Sequence, residues 1–270
     1  MQKILVTGGA GKLGRLVVKQ LSAAGYTVRG MSRRASPGDD WPGTEWKQAD
    51  MVTGEGLAEA VQGMDVLVHL AGKGTWKVDY EGTRHLVDAA SSADVSHLVF
   101  ISIVGVDKVP YPLSKAKLAS EELIQQSGIP WSILRATQFH YLIDIMLNFL
   151  NRLPLAALVP TDLPLQPVAE EEVARHLAEI VQAGPSGRVP DMGGPQVLST
   201  GELARIWLKQ RGLRKAIIPL WLPGKMARAL RKGGNTCPQQ ATGTISWEAW
   251  LQQHYPTKVN TVDARTPVIQ

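Results

Sequence analysis

Apolar positions in the first 135 residues follow two alternating spacings. Short runs rich in aliphatic and β-branched residues predict strands at Lys3–Thr7, Thr27–Met31, near Trp46–Ala49, and at Val66–Ala71, Leu98–Ile103 and Trp131–Leu134. The stretches between them carry apolar residues every three or four positions and predict helices at Lys12–Ala24, Gly54–Gln62, Val78–Ala90 and Ser114–Ser127. Leu13, Leu16, Val17 and Leu21 form the stripe of the first helix, which Gly25 closes. Val66–Ala71 is apolar throughout, as suits a strand covered on both faces. Strand and helix in alternation predict a doubly wound α/β fold, with a parallel sheet, helices on both faces and a ligand at the carboxyl ends of the strands.

After Arg135 the pattern loosens. Leu142–Leu150 reads as a helix, and Pro154, Pro160, Pro164 and Pro167 break up the next stretch of chain. Glu170–Ala183 is a helix with three acids at its amino end, the favourable sense for the macrodipole. Ser199-Thr200-Gly201-Glu202 is a capping box opening Leu203–Gln210, and Gly243–Leu251 holds a last short helix before a polar tail from His254. The expected organisation is a core over residues 1–135 and a smaller, mostly helical part over 136–270, interleaved on the same domain and packed over the ligand edge.

Composition narrows the class. At 44% hydrophobic and 20% charged residues the chain is globular rather than disordered. Its one cysteine, Cys237, excludes an internal disulfide framework and a cysteine zinc site, and a reducing, cytoplasmic setting is expected. No zinc signature, P-loop or Ser-His-Asp set is present, so no metal is expected. The N-terminal Met1-Gln2-Lys3-Ile4-Leu5-Val6 has no signal-peptide pattern, and the apolar runs fall short of the roughly 20 residues of a membrane span. No membrane partner is expected. The net charge of +5 is local: residues 201–234 alone carry +8, leaving −3 elsewhere. That segment reads as a solvated helical face or as a contact for an anionic partner. No nucleic-acid module accompanies it, so nucleic acid is not expected.

The chemistry begins at Gly8-Gly9-Ala10-Gly11-Lys12-Leu13-Gly14, which leaves one strand and opens the next helix. A tight turn, close approach of a pyrophosphate to bare backbone and close helix–strand packing all require glycine there, and the helix start holds the anion. In this setting the motif predicts a Rossmann-type dinucleotide site. The end of the second strand selects the cofactor. A site for NAD places an acid there, whereas Val28-Arg29-Gly30-Met31-Ser32-Arg33-Arg34 offers none before Asp39. Arginine pairs with a 2′-phosphate, so NADP(H) is expected, with Arg33 the main clamp and Arg34 or Lys12 helping. Asp50 and Met51 fall where the adenine edge lies, and Ala71 and Gly72 pass under the cofactor.

The Thr7–Gly14 fingerprint and Val78-Asp79-Tyr80-Glu81-Gly82-Thr83-Arg84-His85-Leu86-Val87-Asp88-Ala89-Ala90 resemble the atypical or extended short-chain dehydrogenase/reductase superfamily. Phe100–Val106, Ser127–His140, Gly193-Gly194-Pro195 and Gly243–Leu251 resemble its NmrA-like, NAD(P)H-binding branch. The resemblance covers about residues 2–251. It implies Thr7, Gly8, Gly11, Lys12, Leu13 and Gly14 at the cofactor, and a Tyr-x-x-x-Lys pair helped by Ser102. Two alignments stand open. Tyr111 and Lys115 match the spacing literally. Alternatively Lys117, preceding Leu118-Ala119-Ser120-Glu121, is the equivalent lysine, which puts Leu113 at the tyrosine's place. Asp79 stands where the family has asparagine. Pro112 as first helical residue would make Tyr111 the cap, and Ser114 as cap would leave Tyr111 in the loop.

Gln138, Phe139 and His140 lie just past the sixth strand, at the expected substrate edge, where His140 either titrates near neutral pH or serves as an orienting or packing residue. His69 reads as a satisfied core residue, and His85, His97 and His176 as surface residues of helix or loop. Trp41, Trp46 and Trp76 line the cleft or pack, and Trp207, Trp247 and Trp250 anchor the C-terminal core. The expected function is an NADP(H)-dependent oxidoreductase acting on a small organic substrate. The alternatives are a dinucleotide-sensing regulatory protein that passes its occupancy to a protein partner, and a non-redox isomerase or lyase that recycles its nicotinamide.

Overall fold

The computed structural model describes residues 2–34 and 43–256. Asp39, Trp41 and the tail beyond Pro256 lie outside the described residues. In chain order the elements are β1 (Lys3–Thr7), α1 (Lys12–Ala23), β2 (Thr27–Ser32), β3 (Glu45–Gln48), α2 (Leu57–Val61), β4 (Val66–His69), α3 (Gly82–Ser91), β5 (His97–Ile103), α4 (Pro112–Gln126) and β6 (Trp131–Ala136). Next come α5 (His140–Leu150), β7 (Ala156–Val159), β8 (Pro164–Leu165), α6 (Glu170–Ala183), β9 (Gly187–Arg188), β10 (Leu198–Ser199), α7 (Thr200–Gln210), β11 (Ala216–Pro219), α8 (Lys225–Arg231) and α9 (Trp247–His254). A π-helical turn, Lys77–Glu81, leads into α3 where the pattern predicts plain helix.

The main sheet is parallel, seven strands in the order β3-β2-β1-β4-β5-β6-β9. The chain works outward from β1 to β3 and then returns to β4, so the order reverses between β1 and β4, and a crevice opens there. One face is covered by α1 and α6, whose Val17, Leu21, Val173 and Leu177 pack on Val6, Val68, Ile101 and Leu134. The other face is covered by α2, α3 and α4 through Leu57, Leu86 and Ile124 on Leu5, Leu67 and Phe100. The helix over 170–183 thus lies on the sheet face beside α1 rather than over the ligand edge. A separate small core joins α5, β7, α7 and α9 around Trp207, Trp247 and Trp250, all buried. The two-stranded pairings β7–β11 and β8–β10 arise where prolines hide any period from view.

The join of β1 to α1 is tight. Gly8 adopts φ +67°, in the left-handed region, and Gly11 N donates to its carbonyl at 2.8 Å. A Cβ on Gly14 would stand 2.2 Å from that same carbonyl oxygen. Gly14→Ala therefore pushes α1 off the turn, and urea denaturation should show a loss of about 1–3 kcal/mol with the fold retained.

Three histidines are buried neutral. His69 lies between Thr7 Oγ1 (2.8 Å from Nδ1) and Thr83 Oγ1 (3.0 Å from Nε2), and burial pushes its pKa down to about 3. His97 is not at the surface: it is the first residue of β5, buried against Ser132 Oγ at 2.9 Å, and burial pushes it down to about 4. His140 is fully buried, its ring 5.7 Å from that of Trp247 and 5.6 Å from that of Trp250. Burial pushes it down to about 3, so it does not titrate near neutrality. Glu170, opening α6, is shifted the other way, up to about 7 by burial, and its Oε2 has no hydrogen-bond partner.

Below pH 6.5 the unfolded chain takes up three protons at these histidines while the folded protein refuses them until pH 3–4. The stability present at neutral pH is lost progressively on acidification, and Glu170, protonated first in the folded state, offsets one of the three. The unfolding free energy should fall by about 3 kcal/mol between pH 6.5 and 5, and His140→Phe should recover about half of that change. Urea titrations at the two pH values measure both.

Candidate functional site

The crevice at the carboxyl ends of β1, β2, β3 and β4 is a groove of about 620 Å³. Each wall is built by a local rule. On one side stand Gly8, Ala10 and Gly11 of the turn. No side chain caps α1, so its first-turn amides remain for an anion. Thr7 does not line the groove. Its Oγ1 accepts from Leu70 N at 3.2 Å and Ala71 N at 3.3 Å, and so fixes the end of β4 against the turn. The approach is close: a Cβ on Gly8 would meet Ala71 N at 3.0 Å.

Ser32, Arg33 and Arg34 form the far wall. The Ser32 hydroxyl donates to Arg34 O at 2.8 Å and accepts from Arg34 N at 3.2 Å, which turns the chain so that both arginines line the groove. Neither guanidinium has a hydrogen bond or ion pair among the described residues. The one carboxylate in the described lining is Asp50, and it is engaged: Oδ1 accepts from Val52 N at 2.7 Å. Met51 is buried and packs beside it, its carbonyl 3.0 Å from His85 Nδ1.

The inner end is Ala71, Gly72 and Lys73. Asp79, buried in the π-helical turn, accepts through Oδ2 from Lys73 N at 3.1 Å and Thr75 N at 2.9 Å. Its Oδ1 lies 3.5 Å from Lys117 Nζ and has no hydrogen-bond partner. Lys117 is buried under Gly72, where a Cβ would stand 2.7 Å from Asp79 Oδ1 and 3.4 Å from Nζ. Its ammonium donates to Ile101 O at 3.4 Å and sits 4.6 Å over the Phe100 ring. Burial lowers its pKa, against the pull of Asp79 and Glu121. Ser102, buried two residues on from Phe100, has an unpartnered Oγ. Beside it Arg135 is locked by Glu121 (2.6 Å) and Asp107 (3.1 Å). The residues present fit a dinucleotide. The turn is a cradle a Cβ would fill, neither guanidinium has a partner among the described residues, and Asp79 Oδ1 beneath Gly72 accepts no hydrogen bond.

The expected site residues divide accordingly. Gly8, Gly11, Arg33, Arg34, Asp50, Met51, Ala71 and Gly72 line one groove, Lys117 lies behind its inner end, and Ser102 is buried within β5. Tyr111 and Lys115 do not join them. Pro112 is the first residue of α4 and Tyr111 its cap. Tyr111 packs with Val109, Leu163 and Leu230, its hydroxyl pushed up to about 12 by burial, and with Lys115 it lines a separate depression of about 390 Å³. Leu113, not a tyrosine, faces the loop after β4: a Cβ on Gly74 would meet its Cβ at 3.6 Å.

Lys12 is exposed with Nζ 4.2 Å over the Tyr141 ring, Leu13 packs on the α1 core, and Gly14 serves the helix packing. None of the three lines the groove. Gln138 is a structural tie, donating to Asn235 O at 2.9 Å and accepting from Gln166 N at 3.1 Å. Phe139 bridges to Val168 and stacks on Tyr141 at 5.9 Å. Trp46 fills the space over Gly30, and Trp76 leans on Tyr80 at 4.5 Å. Lys73 and Ser32 line the groove without having been expected there, although each adjoins an expected residue. The clustering of Glu170 with Lys12 and Tyr141 has no signal in the sequence beyond the acidic helix start.

Comparison with known proteins identifies the family. The family described as NAD(P)H-binding matches residues 8–144, just over half of the chain. The photosystem II assembly factor Ycf39 of Trieres chinensis is 33% identical over 147 residues, 51% of this chain and 46% of that protein. The chloroplastic divinyl chlorophyllide a 8-vinyl-reductase of Oryza sativa subsp. indica is 28% identical over 219 residues, 71% of this chain and 54% of that protein. The chain spans about half the length of the curated relatives it matches. Among solved structures, the NADPH-dependent quinone oxidoreductase QOR2 of Escherichia coli, complexed with NADPH, superposes with a TM-score of 0.80 at 19% identity, covering 93% of this chain and 99% of that one. That likeness shows the fold, which is the one expected of the short-chain dehydrogenase/reductase superfamily. With its glycine turn, its crevice and its sheet order, the chain belongs to the NAD(P)H-binding family.

Proposed function

We propose that the protein binds NADP(H) in the groove and passes hydride between the nicotinamide and a small, partly apolar substrate. The observation that carries the reading is the pair Arg33 and Arg34, without a hydrogen bond or ion pair among the described residues, at the far wall opposite the uncapped start of α1. A guanidinium there takes a 2′-phosphate as a bidentate partner, where an acid would repel it. The bound cofactor supplies the hydride. The chain's own part is to orient it: α1 holds the pyrophosphate, Asp50 and Met51 flank the adenine, and Lys117 reaches the nicotinamide ribose past Gly72. Asp79 and the Ile101 carbonyl keep the Lys117 ammonium fixed.

Calorimetry with NADPH and NADH tests the reading. NADPH should bind at least tenfold more tightly. Arg33→Ala should weaken NADPH about 10–100-fold, the worth of one charge-assisted pair, and leave NADH unchanged. A preference for NADH sinks it.

With Leu113 in place of a tyrosine, no phenol stands against Gly74 among the described residues, and the proton for the product comes from solvent or substrate. Tyr111→Phe should leave NADPH oxidation with a panel of quinones and enones within about twofold, whereas Lys117→Met should cut kcat/KM by more than tenfold. The same leucine favours a second reading, an NADP(H)-binding protein without turnover whose occupancy a partner senses. Tight binding with no NADPH consumption across the panel decides for it.

A further inference from the structure

Among the described residues, ten of the twelve well-exposed large apolar side chains lie in two segments, 142–158 and 218–226. The segments meet. β7 and β11 pair in parallel with Leu158 opposite Ile218, and Ala157 and Val159 point into the small core. The outer face of this ribbon is thus Ala156, Leu158, Ala216 and Ile218, apolar throughout. α5 continues the face: Leu142, Ile145 and Phe149, spaced three and four apart, are exposed, while Ile143 and Leu147 are buried. The most protruding side chains are Leu155 at 82% exposed, Trp221 at 69% and Phe149 at 60%. A contiguous apolar surface of this kind marks a docking face.

Its charge identifies what docks. Arg214 and Lys215 precede β11, and Lys225 and Arg228 open α8 just after it. Arg152 stacks over Phe149 at 4.4 Å and Arg231 over Trp221 at 3.6 Å, so a cation lies over the face of each of these two aromatic rings. The acids near the face are spent internally: Asp144 accepts from Trp207 Nε1 at 2.6 Å and Tyr255 Oη at 3.0 Å, and Asp162 pairs with Arg231. Apart from Arg231, the cations of the +8 segment have no ion pair among the described residues. Rings that dip into hydrocarbon while their cationic neighbours stay with headgroups are the signature of an interfacial protein.

We propose that the outer face of α5 and the β7–β11 ribbon docks on an anionic lipid bilayer. The contact is peripheral, since among the described residues no helix is long and apolar enough to cross a membrane. It departs from the expectation of no membrane partner, which rests on spanning segments alone. It does not depend on the cofactor reading.

The full chain is sedimented with phosphatidylcholine vesicles, with and without phosphatidylglycerol, at low and high salt. It should co-sediment with the anionic vesicles, remain in solution with neutral ones, and be released by salt, since each basic residue near such a surface raises partitioning about fivefold. Leu155→Ser with Trp221→Ser should lower binding at least tenfold, and Lys225→Glu with Arg228→Glu should do the same, each with an unchanged urea midpoint. No binding to anionic vesicles overturns the proposal, as does equal binding to neutral ones. So does a dimer in light scattering that Leu155→Ser dissolves, which would assign the face to a second copy of the chain.

Discussion

The whole groove depends on how closely α1 approaches the turn before it. Without a side chain at Gly14 the first turn of the helix rests on the Gly8 carbonyl, and without one at Gly8 the turn rests on the end of β4. These two approaches bring the helix start, the loop after β4 and the arginines after β2 to one crevice. Thr7 strengthens the second, because its hydroxyl accepts from Leu70 and Ala71 while touching His69 from the same oxygen. This wall of the groove is thus backbone held in place by packing, and Arg33 and Arg34 stand opposite it.

Beneath that backbone the α4 face of the sheet is charged where a core is ordinarily apolar. Lys117, Asp79, Glu121 and Arg135 are all buried, with Asp107 at the edge. Desolvating so many ions rarely adds stability over well-packed apolar groups. The arrangement makes sense as positioning: the Asp79 ion pair holds Lys117 below Gly72.

Legibility in the sequence falls with distance along the chain. The turn, Arg33, Asp50 and Gly72 follow from the local rule that each βα junction faces the crevice. The α4 register does not, because Lys115 and Lys117 differ by two residues, about 200° around a helix, and only the start at Pro112 decides which is buried. The apolar pattern leaves His97 one residue outside its strand. It sets His140 at an open substrate edge, because nothing nearby announces Trp247 and Trp250, more than a hundred residues away. The ribbon of β7 and β11 joins four-residue segments about sixty residues apart, too short for any period to show.

The return of α6 to the sheet has a consequence for biosynthesis. The segment that the family shares ends at residue 144, yet the cover for Ile101 and Leu134 is supplied by Val173 and Leu177. A ribosome that has released six strands has therefore released a sheet with part of one flank naked. Until α6 emerges, the nascent chain offers those residues to any holdase, and a fragment cut at the family boundary would keep that adhesive flank permanently.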